Sequence, residues 1–342
     1  MKKIRYLSRM KALACIAVVV LHTFFAADAM AQTSAQHALM MTVRNLMTWS
    51  VPCFVMASGA LLLAPERNID LKKLFSKYIL RMAAALVIFS FLFALFDQVL
   101  VKKTGGAGFV TDGLKAIFTG SGWKHMWYLY LMIAIYLLLP LYKLISKHAG
   151  KKEILYLIGV YGVFMSVLPL IEIATGKKLP FYICVNTVYP LYLFLGFALH
   201  NGMLRIRRLV AAGGILIFAI ITAVLTVYST YNEAPAVKEL LSNYSFPAIV
   251  IGSAGIYTLY ESYEKKDHRI ADMILGEIDR CSFGIYLIHM AVLKFIIVVM
   301  KWQPFTSGSG TFSVVLTTCV VFIVSFVITR LLKFIPKVKD II

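Results

Sequence analysis

The chain is 342 residues long, 60% hydrophobic and only 15% charged, with a mean hydropathy of +0.81. A soluble globular domain is about half apolar and about a quarter charged, so that class is excluded. The formal net charge of +19 raises nucleic acid as a partner, but no soluble stretch interleaves basic and aromatic side chains widely enough for a binding face, and nucleic-acid binding is excluded with it.

Apolar runs of about 20 residues are long enough for a helix to cross a bilayer. Ten spans are predicted, at residues 10–27, 43–63, 74–100, 126–146, 153–174, 180–200, 206–230, 244–264, 281–300 and 311–335. The first has a basic approach and ends near Ala29-Met30-Ala31, which has the form of a signal peptide with its cleavage site. It is read as retained, because the rest of the chain is polytopic and the segment carries His22. Lys11 and His22 are eleven residues apart, roughly 16 Å along a helix axis and close to three turns, so they share a face. A histidine inside an apolar helix is costly; either a neighbouring helix satisfies it or it does chemistry.

In the second span Ser58-Gly59 is a small-residue pair that permits close helix packing. Lys77 and Arg81, near the start of the third, share a face; they are either a positive membrane anchor or a pair that binds phosphates. The longest polar connection, 101–125, carries glycines at 105, 106, 108, 113, 120 and 122 and predicts a loop over an outward cavity. Asp97 and Glu172 fall near the outward ends of their spans. His200 reads as a helix-end residue, and Lys294 as one that reaches for the surface. Cys15, Cys53, Cys184, Cys281 and Cys319 lie in or beside apolar runs without CxxC spacing and read as small buried residues. The histidines are scattered and no nucleophile elbow or P-loop occurs, so no metal site is predicted.

Charge sets an orientation. With the amino terminus in the cytoplasm, the cytoplasmic segments hold 24 of the lysines and arginines and the opposite side nine, with Arg81 and Lys294 inside spans. That bias predicts both termini on the cytoplasmic side and an even number of helices. The expectation is an all-α polytopic protein of about ten transmembrane helices. It would be a single integral-membrane domain over 1–342, in contact with anionic lipids.

Several stretches together resemble the integral-membrane acyltransferase 3 family. Lys11…His22 is similar to its R-x10-H signature, and Val51-Pro-Cys-Phe-Val-Met-Ala-Ser-Gly-Ala to its proline-aromatic-serine-glycine helix. His125-Met-Trp-Tyr-Leu with Ala134-Ile-Tyr-Leu-Leu-Leu-Pro140 resembles H-x-W-[FY]-L…LYL…P. Leu193-Phe-Leu-Gly-Phe resembles [FY]-x-x-G-[FY], and Ser282-Phe-Gly-Ile-Tyr-Leu-Ile-His289 resembles S-x-G-I-Y-L-x-H. The order covers nearly the whole chain and is most like compact surface-glycan O-acetyltransferases without a periplasmic esterase-like domain. Three positions depart from it: Lys11 stands for the arginine, Ser8 for an aspartate three residues earlier, and Tyr78-Ile-Leu-Arg81 for R-x-x-R.

The resemblance implies transfer of an acetyl or other short acyl group from cytoplasmic acyl-CoA, with acetyl-CoA as the expected donor. The acceptor it implies is a hydroxyl of a surface polysaccharide or lipid-linked saccharide. It makes His22 the catalytic base. Lys11, Lys77, Arg81, Ser282, Tyr286 and His289 become donor-binding candidates; for the last three a hydrogen-bonded structural seam is the alternative. His125, Trp127 and Glu172 become acceptor-binding candidates. Glycan-synthesis proteins or a second copy of the chain are possible partners. The alternative function class is a polysaccharide or lipid transporter or flippase, or a non-catalytic subunit of a glycan-synthesis complex. No inverted repeat or matched pair of broken helices supports transport.

Overall fold

The computed structural model describes residues 4–177, 187–264, 268–305 and 310–342. Backbone polar groups in hydrocarbon have no water to bond, so a spanning segment must close its hydrogen bonds within itself. The described residues accordingly form helices: α1 (Arg5–Asp28), α2 (Ser34–Leu62, with a turn at 47–49), α3 (Leu71–Val101), α4 (Phe109–Thr119), α5 (Lys124–His148) and α6 (Lys151–Thr175), then α7 (Tyr189–His200), α8 (Arg208–Tyr231), α9 (Pro235–Ser242), α10 (Pro247–Ser262), α11 (Arg269–Val299) and α12 (Thr311–Leu332).

Eight of these, α1, α2, α3, α5, α6, α8, α11 and α12, are long and apolar enough to cross a membrane. The other two predicted spans fall on α7, with 12 residues, and α10, with 16. At about 1.5 Å per residue these helices are roughly 18 and 24 Å long, short of a hydrocarbon core of about 30 Å. Both are largely buried among other helices; every residue of α7 from Pro190 to Leu199 is buried. Residues 180–186 of the predicted sixth span, Cys184 among them, lie outside the described residues. Two starts also differ: α2 begins at Ser34 rather than 43, and α11 at Arg269 rather than 281. Leu209, Leu216, Ile220 and Val224 of α8 are exposed, an apolar face that suits lipid and not water.

The chain divides into two units, Met1–Pro65 with Ile145–Arg280, and Glu66–Leu144 with Cys281–Ile342. In the first unit α2 and α7 approach at backbone distance. A Cβ on Gly59 would sit 1.9 Å from the Leu193 carbonyl oxygen, and one on Gly196 would sit 2.1 Å from that of Met56. The Ser58-Gly59 pair and the Leu193-Phe-Leu-Gly196 stretch are thus the two sides of one helix contact. Close by, Phe218, Leu240, Leu241, Phe246 and Ile249 form a buried cluster joining α8, α9 and the start of α10.

In the second unit α4 packs on α3, and Gly120, at φ 66°, ends α4 in the left-handed conformation that glycine adopts without strain. The Tyr130 hydroxyl donates to the Ala116 and Ile117 carbonyls at 3.1 and 2.8 Å, which pins that end to α5. Of the described cysteines, Cys15, Cys53 and Cys281 are buried as expected, whereas Cys319 is exposed on α12. That places a small apolar side chain on a membrane-facing surface.

The α2–α7 contact yields a test. Gly59→Ala and Gly196→Ala force a methyl group against a carbonyl oxygen that only a backbone shift can move. Each is expected to cost about 1–3 kcal/mol. Gly213→Ala, with nothing within 4 Å of its Cβ, is the control. Thermal unfolding in detergent that drops for the first two and not for the third bears this out; equal behaviour of all three refutes it.

Candidate active site

In the first unit the face of α1 that carries Lys11 and His22 begins in a network of charge. Ile4 provides no side-chain cap for α1; instead the Glu264 carboxylate accepts the first-turn N–H groups of Arg5 at 3.2 Å and Tyr6 at 2.6 Å. A negative charge there also favours the positive end of the helix dipole. The Tyr6 hydroxyl lies 2.6 Å from His200 Nδ1 and 2.9 Å from the Tyr257 hydroxyl, so the helix-end histidine joins a buried hydrogen-bonded chain.

The next two turns meet α11. Arg9 donates from Nε to Asp272 at 2.5 Å, from Nη2 to the other carboxylate oxygen at 2.8 Å, and from Nη1 to the Tyr263 carbonyl at 3.0 Å. Asp279, seven residues on and on the same face of α11, pairs with Lys11 at 2.8 Å and accepts the Ser8 hydroxyl at 2.7 Å. Ser8 stands where the resembled pattern has an aspartate, and the carboxylate beside Lys11 comes here from another helix. Asp272 and Asp279 were missed by sequence reading, because α11 was expected to start only at residue 281. The signal was present: two acids seven apart in an amphipathic stretch, 269–280.

Three turns beyond Lys11, His22 is half-buried and its Nδ1 lies 2.9 Å from the carbonyl of Val18. A carbonyl only accepts, so Nδ1 carries the hydrogen and Nε2 the lone pair. Further on, Asp28 pairs with His37, Arg44 donates to Asn45 at 2.6 Å and to Ser242 at 3.0 Å, and Asn45 donates to Thr226 at 2.9 Å. These bonds tie α1 to α2, and α2 to α8 and α9. Glu172, half-exposed on α6, also belongs to this unit.

The second unit gathers an aromatic cluster. Tyr286 donates its hydroxyl to the backbone carbonyl of His125 at 2.5 Å, and the His125 ring lies 5.6 Å from that of Tyr286 and 5.4 Å from that of His289. His289, fully buried, bonds from Nδ1 to the Ile285 carbonyl at 3.0 Å, the same arrangement as His22. Residues expected on the donor side (Tyr286, His289) and on the acceptor side (His125) are therefore neighbours. Arg81 joins the same series: its guanidinium lies 5.0 Å over the Phe283 ring, which stacks near Tyr286, and its Nε donates to the Ile341 carbonyl at 3.0 Å. Lys77 is exposed, Ser282 half-buried, and Trp127 partly exposed beside Tyr128.

At the glycine-rich connection of this unit a cavity of ≈ 370 Å³ opens, with Ser90, Asp97, Lys102, Asp112, Ser121 and Trp123 among its lining. Asp97 accepts Lys294 Nζ at 2.5 Å and the Trp123 indole N–H at 2.9 Å. Trp123 in turn stacks on Phe93 at 4.1 Å and has the Lys294 ammonium 4.6 Å from its ring centre. Asp97 opens a π-helical turn in α3 and Lys294 precedes one in α11, a local widening that recurs at functional positions. At the rim, hydrogen bonds from Lys102 and Gln98 hold the Asp112 carboxyl below its ordinary range, so the charged bonds persist until the pH falls through that lowered value. Among the described residues no group of three or more His, Cys, Asp or Glu side chains is placed to hold a metal ion.

The two cations of α1 separate in experiment. Arg9 and Asp272 are nearly buried, at 8% and 18% side-chain exposure, and Arg9→Ala leaves a carboxylate in low dielectric at a cost of about 3–5 kcal/mol. Lys11 is 27% exposed and its partner Asp279 only 9%, but Asp279 keeps the Ser8 hydroxyl when Lys11 is removed, so Lys11→Ala is expected to cost less, about 1–3 kcal/mol. Thermal midpoints of the two variants measure the difference; a larger loss for Lys11 reverses the assignment.

The model of the acyltransferase domain family matches residues 4–330. No curated protein and no solved structure that was compared matches the chain. The match runs from the residue before α1 almost to the end of α12 and takes in His22, the α2–α7 glycine contact and the His125–Tyr286–His289 cluster, so the chain belongs to the acyltransferase 3 family of multi-pass membrane acyltransferases.

Proposed function

We propose that the protein is an O-acyltransferase of a bacterial cytoplasmic membrane, with both termini in the cytoplasm. It moves an acetyl or other short acyl group from cytoplasmic acyl-CoA to a hydroxyl of a surface polysaccharide or lipid-linked saccharide. His22 is the general base. The observation that carries this is the Nδ1–H bond from His22 to the Val18 carbonyl, which fixes the tautomer and makes Nε2 the proton-accepting nitrogen.

Nε2 takes the proton from the acceptor hydroxyl as its oxygen attacks the thioester carbonyl. The new C–O bond forms, the C–S bond breaks, and the imidazolium returns its proton to the departing thiolate, giving an ester and free CoA. Lys11, Lys77 and Arg81 supply positive charge for the donor's phosphates, as lysine and arginine do at anion sites. Ser282, Tyr286 and His289 serve the donor's thioester arm. His125, Trp127 and Glu172 serve the acceptor, with the cavity beside Trp123 as a polar mouth. An apolar helical surround keeps water from the thioester.

Purified protein in nanodiscs, given labelled acetyl-CoA and a lipid-linked saccharide, tests the reading. Covalent transfer of label supports it; movement of the saccharide without modification supports transport instead. His22→Gln is expected to lower transfer by about 10²–10⁴-fold with normal membrane insertion, and near-normal transfer by that variant removes the role. Lys11→Arg is expected to keep the donor KM, and Lys11→Glu to raise it; equal donor KM for wild type and both variants refutes phosphate binding. For the acceptor side, His125→Ala is expected to change acceptor KM with donor KM unchanged.

A further inference from the structure

The face of α1 turned away from Lys11 and His22 carries Leu13, Ile16 and Val20 at helical spacing. With Ile215 of α8, Tyr260 of α10 and Trp49 of the turn in α2, these side chains belong to the lining of a cavity of ≈ 510 Å³ in the first unit. The lining is almost wholly apolar. Its floor is α10, and its length follows the α1 axis from Leu13 to Val20, roughly 10 Å. A dry pocket in a protein's water-facing surface stays small; a groove of this size between membrane-crossing helices fits hydrocarbon.

One end of the groove is different. Tyr263 lines it there, and the Arg208 guanidinium lies 5.6 Å over the Tyr263 ring while its Nη2 donates to the Ser262 carbonyl at 2.8 Å. Arg208 is exposed, as are Arg205 and Arg207 just before it. No acidic residue occurs between 201 and 232. Of the described carboxylates near this end, Glu264 is engaged by the N–H groups of Arg5 and Tyr6, Asp272 by Arg9, and Glu261 is half-buried on α10. Arg208 puts one exposed guanidinium at the mouth of a hydrocarbon-sized groove, with exposed Arg205 and Arg207 just before it in the chain, and makes the site amphipathic: apolar along the helix axis, cationic at the end. Tyr260, Tyr263 and Trp49 add the aromatic bodies that suit a lipid interface.

We propose that this groove binds one anionic phospholipid, an acyl chain lying along α1 and α8 and the phosphate held by Arg208 with help from Arg205 and Arg207. Guanidinium suits that role, because its planar fork matches two phosphate oxygens at once. The site is independent of acyl transfer, since it uses the opposite face of α1 from the Lys11–His22 stripe.

Trp49 provides the reporter. The full-length protein is reconstituted in phosphatidylcholine vesicles that contain increasing fractions of phosphatidylglycerol with brominated chains, or of phosphatidylcholine with the same brominated chains, and tryptophan quenching is followed. A Lys or Arg near a headgroup contributes on the order of 1 kcal/mol, so brominated phosphatidylglycerol is expected to reach half-quenching at about fivefold lower fraction. Arg208→Gln is expected to abolish that preference, Arg208→Lys to keep part of it, and Trp49→Phe to remove the preferentially quenched component. Because Arg208 is exposed, its replacement leaves folding intact, which an unchanged thermal midpoint in plain phosphatidylcholine verifies. Identical curves for the two lipids mean that the groove holds ordinary boundary lipid and overturn the proposal. A preference that survives both Arg208→Gln and Trp49→Phe puts the anionic lipid elsewhere and overturns it equally.

Discussion

A side chain that enters hydrocarbon must bring its polar partner with it, and in this protein the partner is repeatedly the carbonyl four residues earlier on the same helix. Thr23, Thr226, Thr317, Thr318, Ser325 and Thr329 all donate to that carbonyl at 2.6 to 2.9 Å. For a hydroxyl the bond merely hides a donor. For His22 and His289 it does more, since an imidazole that donates its Nδ1–H to a carbonyl carries its basic lone pair on Nε2. The constraint that makes the fold all-helical also sets the protonation pattern from which the proposed chemistry starts.

Where polar bonds are scarce, helices associate through shape. The α2–α7 contact brings Gly59 within reach of the Leu193 carbonyl and Gly196 within reach of that of Met56. Dispersion grows as backbones approach, and a missing Cβ on both sides is what allows the approach. Gly284 of α11 against Thr329 of α12 in the second unit follows the same rule, with a Cβ there only 2.3 Å from the threonine methyl. Two motifs that resemble family signatures, in residues 51–60 and 193–197, thus carry packing.

Sequence alone made the helical spans legible, because a run of about 20 apolar residues has one physical solution in a bilayer. The described helices α7 and α10 are shorter than their predicted spans, at 12 and 16 residues. Interior helices are as apolar as lipid-facing ones, so hydropathy does not tell them apart. Asp97, Arg81, His125 and Lys294 were legible as ionisable groups in or beside spans. Their partners were not. The Asp97–Lys294 pair joins residues 197 positions apart, and no periodicity within one helix encodes a contact of that range. Asp272 and Asp279 escaped notice because the first turns of α11 are amphipathic, and charge there read as loop.

The cations of the protein divide by how firmly they are held. Arg9 has three hydrogen bonds, two of them to one nearly buried carboxylate; releasing it strands a charge in low dielectric. Lys294 has Asp97 on one side and the Trp123 ring on the other. Lys11 differs from both, as its ammonium is 27% exposed and shares Asp279 with the Ser8 hydroxyl. That pair is wet on the lysine side only, since Asp279 is 9% exposed, and a phosphate carries more charge and more acceptor oxygens than a carboxylate. The proposed exchange of Asp279 for a phosphate is eased at Lys11 by its partly exposed ammonium and by the Ser8 hydroxyl, which remains for the carboxylate, whereas Arg9 is held by three bonds.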